Sequence, residues 1–282
     1  MNPFLQRLAL AALALALAAC GSDNGPAPNP FKDARSEREL RLEADGLYRL
    51  ARRALDGADY QGALQRYDHI QLRYPFTDYA TQAQLESIYA KYRAFDSDGA
   101  MATAERFLKE HPRHGSADYV YYVKGLVNFQ RGEALLGDLV DTAGHDVSHA
   151  RQAFDDFALL TQRYPASRYA GDARLRMVHL RNKIAEHELT IVRYYVRRGA
   201  HIAAARRAQQ ILADYPGAPA TAEALVVLES SYREAGLTAQ ADEVRRLREA
   251  NPAVTLPDTT PVERPGGILG PPPEPIPGPA AG

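Results

Sequence analysis

His187 and Glu188 open the pattern H-E-x-x-H, in which two imidazoles one helical turn apart hold zinc and the carboxylate activates a water. The fifth position is Ile191, so the second ligand is missing. His145 and His149 are also one turn apart and lie near Asp141 and Asp146, but Gly144 interrupts any helix that would align them as a divalent-cation site. A single cysteine, Cys20, excludes an intramolecular disulfide and a thiolate zinc centre. No G-x-S-x-G nucleophile elbow and no phosphate-cradling glycine loop occurs, and the carboxylates show no spacing that singles out a catalytic pair. The expectation is a non-catalytic chain with no metal or other cofactor.

Charge points the same way. Lys and Arg number 34 against 35 Asp and Glu, so no global field favours nucleic acid or an acidic partner. Five arginines do gather locally, Arg193, Arg197, Arg198, Arg206 and Arg207, with no acid between Glu188 and Asp214. Tyr194 and Tyr195 sit among them, and Tyr with Arg anchors many protein interfaces. The alternative is a solvated basic face complementing a helix C-terminus.

The elements that must position these residues are helices in a repeat. Pro75, Pro112, Pro165, Pro216 and Pro252 each end an apolar-periodic stretch. Twelve residues before them stand Ala63, Ala100, Ala153, Ala204 and Gln240; eight before, Tyr67, Ala104, Phe157, Ala208 and Val244; five before, Ile70, Phe107, Leu160, Ile211 and Leu247. Steps of four and three share one helix face, and the proline ring stops the helix. The spacing resembles the second helix of a tetratricopeptide repeat, and the intervals of 37, 53, 51 and 36 residues place insertions in the middle units. The fold class expected is all-α, an α-solenoid of about five helix-turn-helix units over residues 34–252, with a concave binding surface. Thr77, Ser116, Ser167 and Thr221 are expected to cap the helices that follow. Residues 132–147 read as a loop with a short helix. Residues 172–198 read as one helix about 40 Å long, with Leu175, Val178, Ile184, Ile191 and Tyr195 as its apolar stripe and Gly199 as its left-handed stop.

The ends differ in kind. Arg7 precedes the apolar run Leu8 to Ala18, about 17 Å as a helix and too short to span a bilayer core. This is an export-signal layout. Leu17-Ala18-Ala19-Cys20 resembles the lipobox of bacterial lipoproteins, which implies a signal peptide over residues 1–19 and lipid, diacylglycerol with palmitate-type chains, on Cys20. An ordinary secretory signal is the alternative. Residues 20–33 read as a flexible tether, and Gly21 with Ser22 lacks the Asp that marks inner-membrane retention in enterobacterial lipoproteins, so the resemblance implies the outer membrane. Residues 253–282 are Pro/Gly-rich and read as an extended tail.

The lipobox, the five units and the run from Arg163 to Pro216 together resemble the BamD (ComL) family of outer-membrane protein assembly lipoproteins. The long tail departs from the short end usual there. The resemblance implies a periplasm-facing scaffold of the β-barrel assembly machinery, with the barrel insertase BamA, other assembly lipoproteins and unfolded outer-membrane proteins as partners, and no nucleic acid. It implies that Arg197 and Arg198, with Tyr194 and Tyr195, face the insertase. It also implies a substrate groove in the first three units, around Tyr48, Tyr67, Tyr89 and Tyr92. A cell-wall or division-associated repeat scaffold is the competing reading, since surface residues rather than the repeat itself decide function.

Overall fold

A computed structural model of the chain describes residues 36–136 and 147–251. Cys20 with its signal and tether, most of the insertion after Gly132, and the Pro/Gly-rich tail lie outside the described residues. The chain divides into two compact units, Met1–Leu42 and Glu43–Gly282. Of the first, only residues 36–42 are described. There Glu39 N–H donates to Ser36 Oγ (3.2 Å) and Ser36 N–H to a Glu39 carboxylate oxygen (2.8 Å), a reciprocal capping box.

The described residues form helices and no strand. In chain order they are α1 (Glu37–Asp56), α2 (Tyr60–Arg73), α3 (Asp78–Arg93), α4 (Ser97–Glu110), α5 (Ala117–Leu136), α6 (Ser148–Arg163), α7 (Ala170–Arg197), α8 (His201–Asp214), α9 (Ala220–Glu234) and α10 (Thr238–Ala250). They pair as five helical hairpins, each second helix ending one residue before the aromatic or polar residue that precedes a repeat proline. That residue takes nearly the same conformation every time, from φ −132° to −122°, and its amide donates four residues back: Tyr74 to Ile70, His111 to Phe107, Tyr164 to Leu160, Tyr215 to Ile211 and Asn251 to Leu247. The proline's restriction of its predecessor produces this shared stop.

Inside the hairpins the first helix stops through a left-handed residue. Ala58, Phe95, Gly199 and Gly236 have φ of 59°, 61°, 70° and 75°. The next amide then reaches five residues back, as from Asp59 to Ala54 and from Ala200 to Tyr195. This is the Schellman arrangement. Gly199 thus stops α7 as its position predicts, while Ala58 and Phe95 adopt the same turn without glycine's freedom.

From α2 onward packing runs between neighbours in sequence, with additional first-helix contacts between α3 and α5 and between α7 and α9. The repeat positions make the core: Ala63, Ala100, Ala153 and Ala204 are buried, as are Tyr67, Ala104, Phe157 and Ala208, and Ile70, Phe107, Leu160 and Ile211. In the last hairpin Leu247 is half exposed, with no further described unit to cover it. Small residues let helices close in. A Cβ on Gly125 of α5 would meet the Phe157 ring at 2.4 Å, and one on Gly132 would meet Ala150 Cα at 3.2 Å.

Four sequence expectations change. α5 continues through Gly132 to Leu136 instead of opening into a loop there, since the glycine lets α5 run close against α6. On α7, Leu175 and Val178 are exposed, whereas Ala173, Arg176, Leu180, Ile184, Ala185, His187, Leu189 and Val192 are buried. The inward stripe is therefore rotated toward smaller and polar residues. Thr77 and Thr221 do not cap following helices: their hydroxyls donate back to the carbonyls of Tyr74 (2.8 Å) and Ala218 (2.7 Å). The side-chain caps are instead Asp59 and Asp96, which accept from the amides of Gly62 and Gly99, each at 2.9 Å. In both cases the carboxylate lies over a glycine where a Cβ would collide.

Candidate functional site

Two regions combine polar chemistry with access. The first is built where α1, α2 and α3 meet. Glu86 of α3 has a fully buried side chain, and burying a carboxylate is tolerated only when its lone pairs are met. Tyr48 Oη donates to it at 2.6 Å, Gln82 Nε2 at 2.8 Å and Arg52 at 3.2 Å, and the Tyr67 hydroxyl completes the set. Burial first, and then the charge of Glu86, push the phenols of Tyr48 and Tyr67 far above the usual tyrosine range, so both remain proton donors. Of the tyrosines expected in a groove, Tyr48, Tyr67 and Tyr89 are interior. Their rings fill space between helices, and the hydroxyls of Tyr48 and Tyr67 are held by Glu86. Tyr92 alone of the four is half buried, and burial raises its phenol.

Beside this node a cleft of about 510 Å³ opens between the first and second hairpins. Its lining is mixed: Gln71, Gln84, Arg106 and Glu110 bring polar groups, and Pro75, Ala80, Thr81 and His111 complete the walls. Gln84 Nε2 donates to Glu110 (2.8 Å) and Arg106 to Gln71 (3.4 Å), which ties the walls together. Sequence reading missed Glu86; its signal was a lone acid inside the buried stretch Ala83 to Ala90 of α3.

The second region is the turn from α7 to α8. Arg193 makes a two-pronged pair with Glu223 of α9 (2.7 and 2.6 Å) and a third bond to Glu186 (2.9 Å). The bonded Glu223 raises the Arg193 guanidinium, and Arg193 in turn holds Glu223 below the ordinary carboxylate range. Arg207 pairs with Glu188 (3.3 Å), which also accepts from Arg151 (2.7 Å). Of the five clustered arginines, Arg193 thus joins the fourth hairpin to the fifth and Arg207 ties the two helices of the fourth. Arg197, Arg198 and Arg206 are exposed, with Arg198 bonded to Tyr194 Oη at 3.2 Å and stacked over its ring at 5.5 Å. Tyr194, Val196 and Ile202 are exposed around the same turn, while Tyr195 is half buried against the carboxy-terminal core. His187 is interior, and among the described residues no three His, Cys, Asp or Glu groups converge on a metal position.

Residues 41–247, the whole repeat array, match the family model YfiO, described as outer membrane lipoprotein. The chain is 37% identical over 241 residues to the outer membrane protein assembly factor BamD of Neisseria meningitidis serogroup A, covering 85% of this chain and 88% of that protein. The chain belongs to the BamD family. BamD of Pasteurella multocida is 34% identical over 79% of this chain and 86% of its own length. BamD of Vibrio cholerae is 36% identical over 73% and 86%. The BamD family is one of outer membrane protein assembly factors, and membership associates this chain with that membrane. No described helix is long and apolar enough to cross a membrane.

Proposed function

We propose that this BamD-family chain is a non-catalytic scaffold of outer-membrane protein assembly, lipidated at Cys20 and held on the periplasmic face of the outer membrane. Its carboxy-terminal hairpins engage the barrel insertase BamA through Tyr194, Tyr195, Arg197 and Arg198. The observation that carries this reading is the α7–α8 turn, where exposed arginines stand beside exposed Tyr194, Val196 and Ile202. Aromatic and arginine side chains framed by apolar neighbours are the usual anchors of a protein interface.

Unfolded outer-membrane segments are received by the first two hairpins. The polar groups of Gln71, Gln84, Arg106 and Glu110 suit the main chain of an extended peptide, the apolar remainder of the cleft suits its side chains, and Tyr92 of the second hairpin remains partly accessible.

Affinity isolation from detergent-solubilised envelopes tests the scaffold reading. The parent chain is expected to recover a barrel insertase with periplasmic domains, and Arg197→Glu with Arg198→Glu to weaken that recovery and slow association at low salt. Undiminished recovery by the charge-reversed chain would return the turn to an ordinary solvated surface.

A further inference from the structure

Among the described residues, the two most exposed large apolar side chains are Phe76, at 101%, and Leu72, at 85%. They belong to one tip: Leu72 lies in the last turn of α2, and Phe76 directly follows Pro75 on the way into α3. Pro75 prevents α2 from continuing and drawing the ring back onto a helix face. Single exposed apolar residues are ordinary, but an adjacent Phe and Leu this far from any packing ask for a partner.

The course of the chain indicates which one. Tyr74 Oη donates to Glu43 (2.8 Å) and Tyr79 Oη to Asp45 (3.0 Å), so this part of α1 lies beside the tip. Twenty-two residues separate Glu43 from Cys20. The sixteen of them that precede Glu37, where α1 begins, would reach at most about 55 Å if extended. The exposed charges that flank the tip along the chain balance, Arg73 before it and Asp78 after it. Apolar side chains in a charge-balanced frame suit the headgroup–acyl boundary of a zwitterionic bilayer.

We infer that Phe76 and Leu72 form a second membrane contact, inserting into the lipid surface to which the amino terminus is tethered. A tether limits distance but does not fix orientation. The second contact selects which edge of the hairpins faces lipid, aided by the high local lipid concentration that the tether supplies. Phe95 provides the comparison: it is 77% exposed at the opposite end of α3, about 24 Å away along the helix axis.

The inference rests on the reading that Cys20 holds the chain at a membrane, and the test separates the two. Cys20 is the sole thiol and Trp is absent. The chain from Cys20 onward, which keeps every described residue, is coupled through that thiol to a maleimide lipid in phosphatidylcholine vesicles, so the tether no longer depends on cellular lipidation. F76W and F95W each supply the only tryptophan, read against phosphatidylcholine brominated near the headgroup. F76W is expected to shift to the blue and lose about half its emission, since interfacial side chains sit within the first several ångströms of the bilayer. F95W is expected to do neither. Leu72→Ser in the F76W chain should reduce the quenching, and raising salt should not. Emission of F76W as unquenched as that of F95W would overturn the inference, and equal quenching of both would overturn the choice of edge. The mass of the chain recovered from envelopes reports separately on lipid at Cys20, and its failure would leave the vesicle result standing.

Discussion

Replacing Glu86 probes whether the amino-terminal hairpins are held in register by a polar node or only by apolar packing. Glu86→Ala removes the acceptor of Tyr48, Tyr67, Gln82 and Arg52 at once. Arg52 retains Asp56 and some solvent, so the loss falls chiefly on the buried hydroxyls. Removing one partner of a buried charged network costs about 3–5 kcal/mol, and we expect about 4 here. That is a large part of a typical folding free energy of roughly 5–15 kcal/mol, so Glu86→Gln, which keeps one acceptor oxygen, is the companion variant at about 2 kcal/mol.

The decisive measurement is a double-mutant cycle with Tyr67→Phe, followed by urea unfolding at neutral pH with circular dichroism. In the parent, Tyr67→Phe loses a bond to a charged acceptor and should cost about 1.5–3 kcal/mol. With Glu86→Ala already present, the same change removes an orphaned hydroxyl and should be neutral or stabilising. If Tyr67→Phe costs the same in both backgrounds, the hydroxyls do not depend on Glu86 and the node is incidental. A Glu86→Ala chain within about 1 kcal/mol of the parent would refute the reasoning just as firmly.

Three further perturbations follow from the geometry. Asp96→Ala should lower stability by about 1 kcal/mol through loss of the α4 cap, whereas Thr77→Ala should leave the helix start of α3 little changed; equal losses in urea melts would show the caps misassigned. Gly125→Ala should destabilise by roughly 1–3 kcal/mol because its methyl meets the Phe157 ring, and Phe157→Leu in the same chain should recover part of that; a thermal midpoint unmoved by Gly125→Ala contradicts the close packing of α5 on α6. Glu223 has a folded-state pKa depressed by Arg193, so its contribution is present above the ordinary carboxylate value and disappears as pH falls through the lower folded value. Because both side chains are partly exposed, Glu223→Gln should cost no more than about 1 kcal/mol at pH 7, and parent and variant should converge as pH falls below the ordinary carboxylate range; a gap that persists once Glu223 is protonated would exclude this pair as its source.

The hairpin frame was legible because proline leaves a local mark: it restricts its predecessor, stops a helix, and recurs in step with three inward positions. The left-handed stop at Gly199 was legible for the same reason, as glycine marks a backbone requirement directly. Ala58 and Phe95 adopt that conformation without advertising it. The function class was carried by resemblance along the repeat array, which periodicity alone could not supply.

What stayed hidden depends on which helix lies opposite. Leu175 and Val178 satisfy a helical stripe on paper, yet the packed face of α7 is set by neighbours that present Ala173, Arg176 and His187 inward. Arg193 and Arg207 read as free charge until the tertiary arrangement brings Glu223 and Glu188 to them. Tyr48 and Tyr67 fit an aromatic groove by type, but their hydroxyls turn inward to Glu86, an acid that only the packed helices place between them.

The fork from Arg193 to Glu223 has a meaning beyond its few bonds. Successive hairpins share one plan, and an apolar face alone would let a unit dock on the wrong neighbour or on a neighbouring chain. The junctions differ in their polar fittings: Glu86 receives hydroxyls from the first hairpin, Tyr122 reaches Asp172 at 2.6 Å between the third and fourth, and Arg193 grips Glu223 between the fourth and fifth. A skipped or swapped hairpin would strand at least one of these groups without its counterpart, and such errors would come apart faster than the correct stack. The similar hairpins are therefore not interchangeable parts: each carries an address.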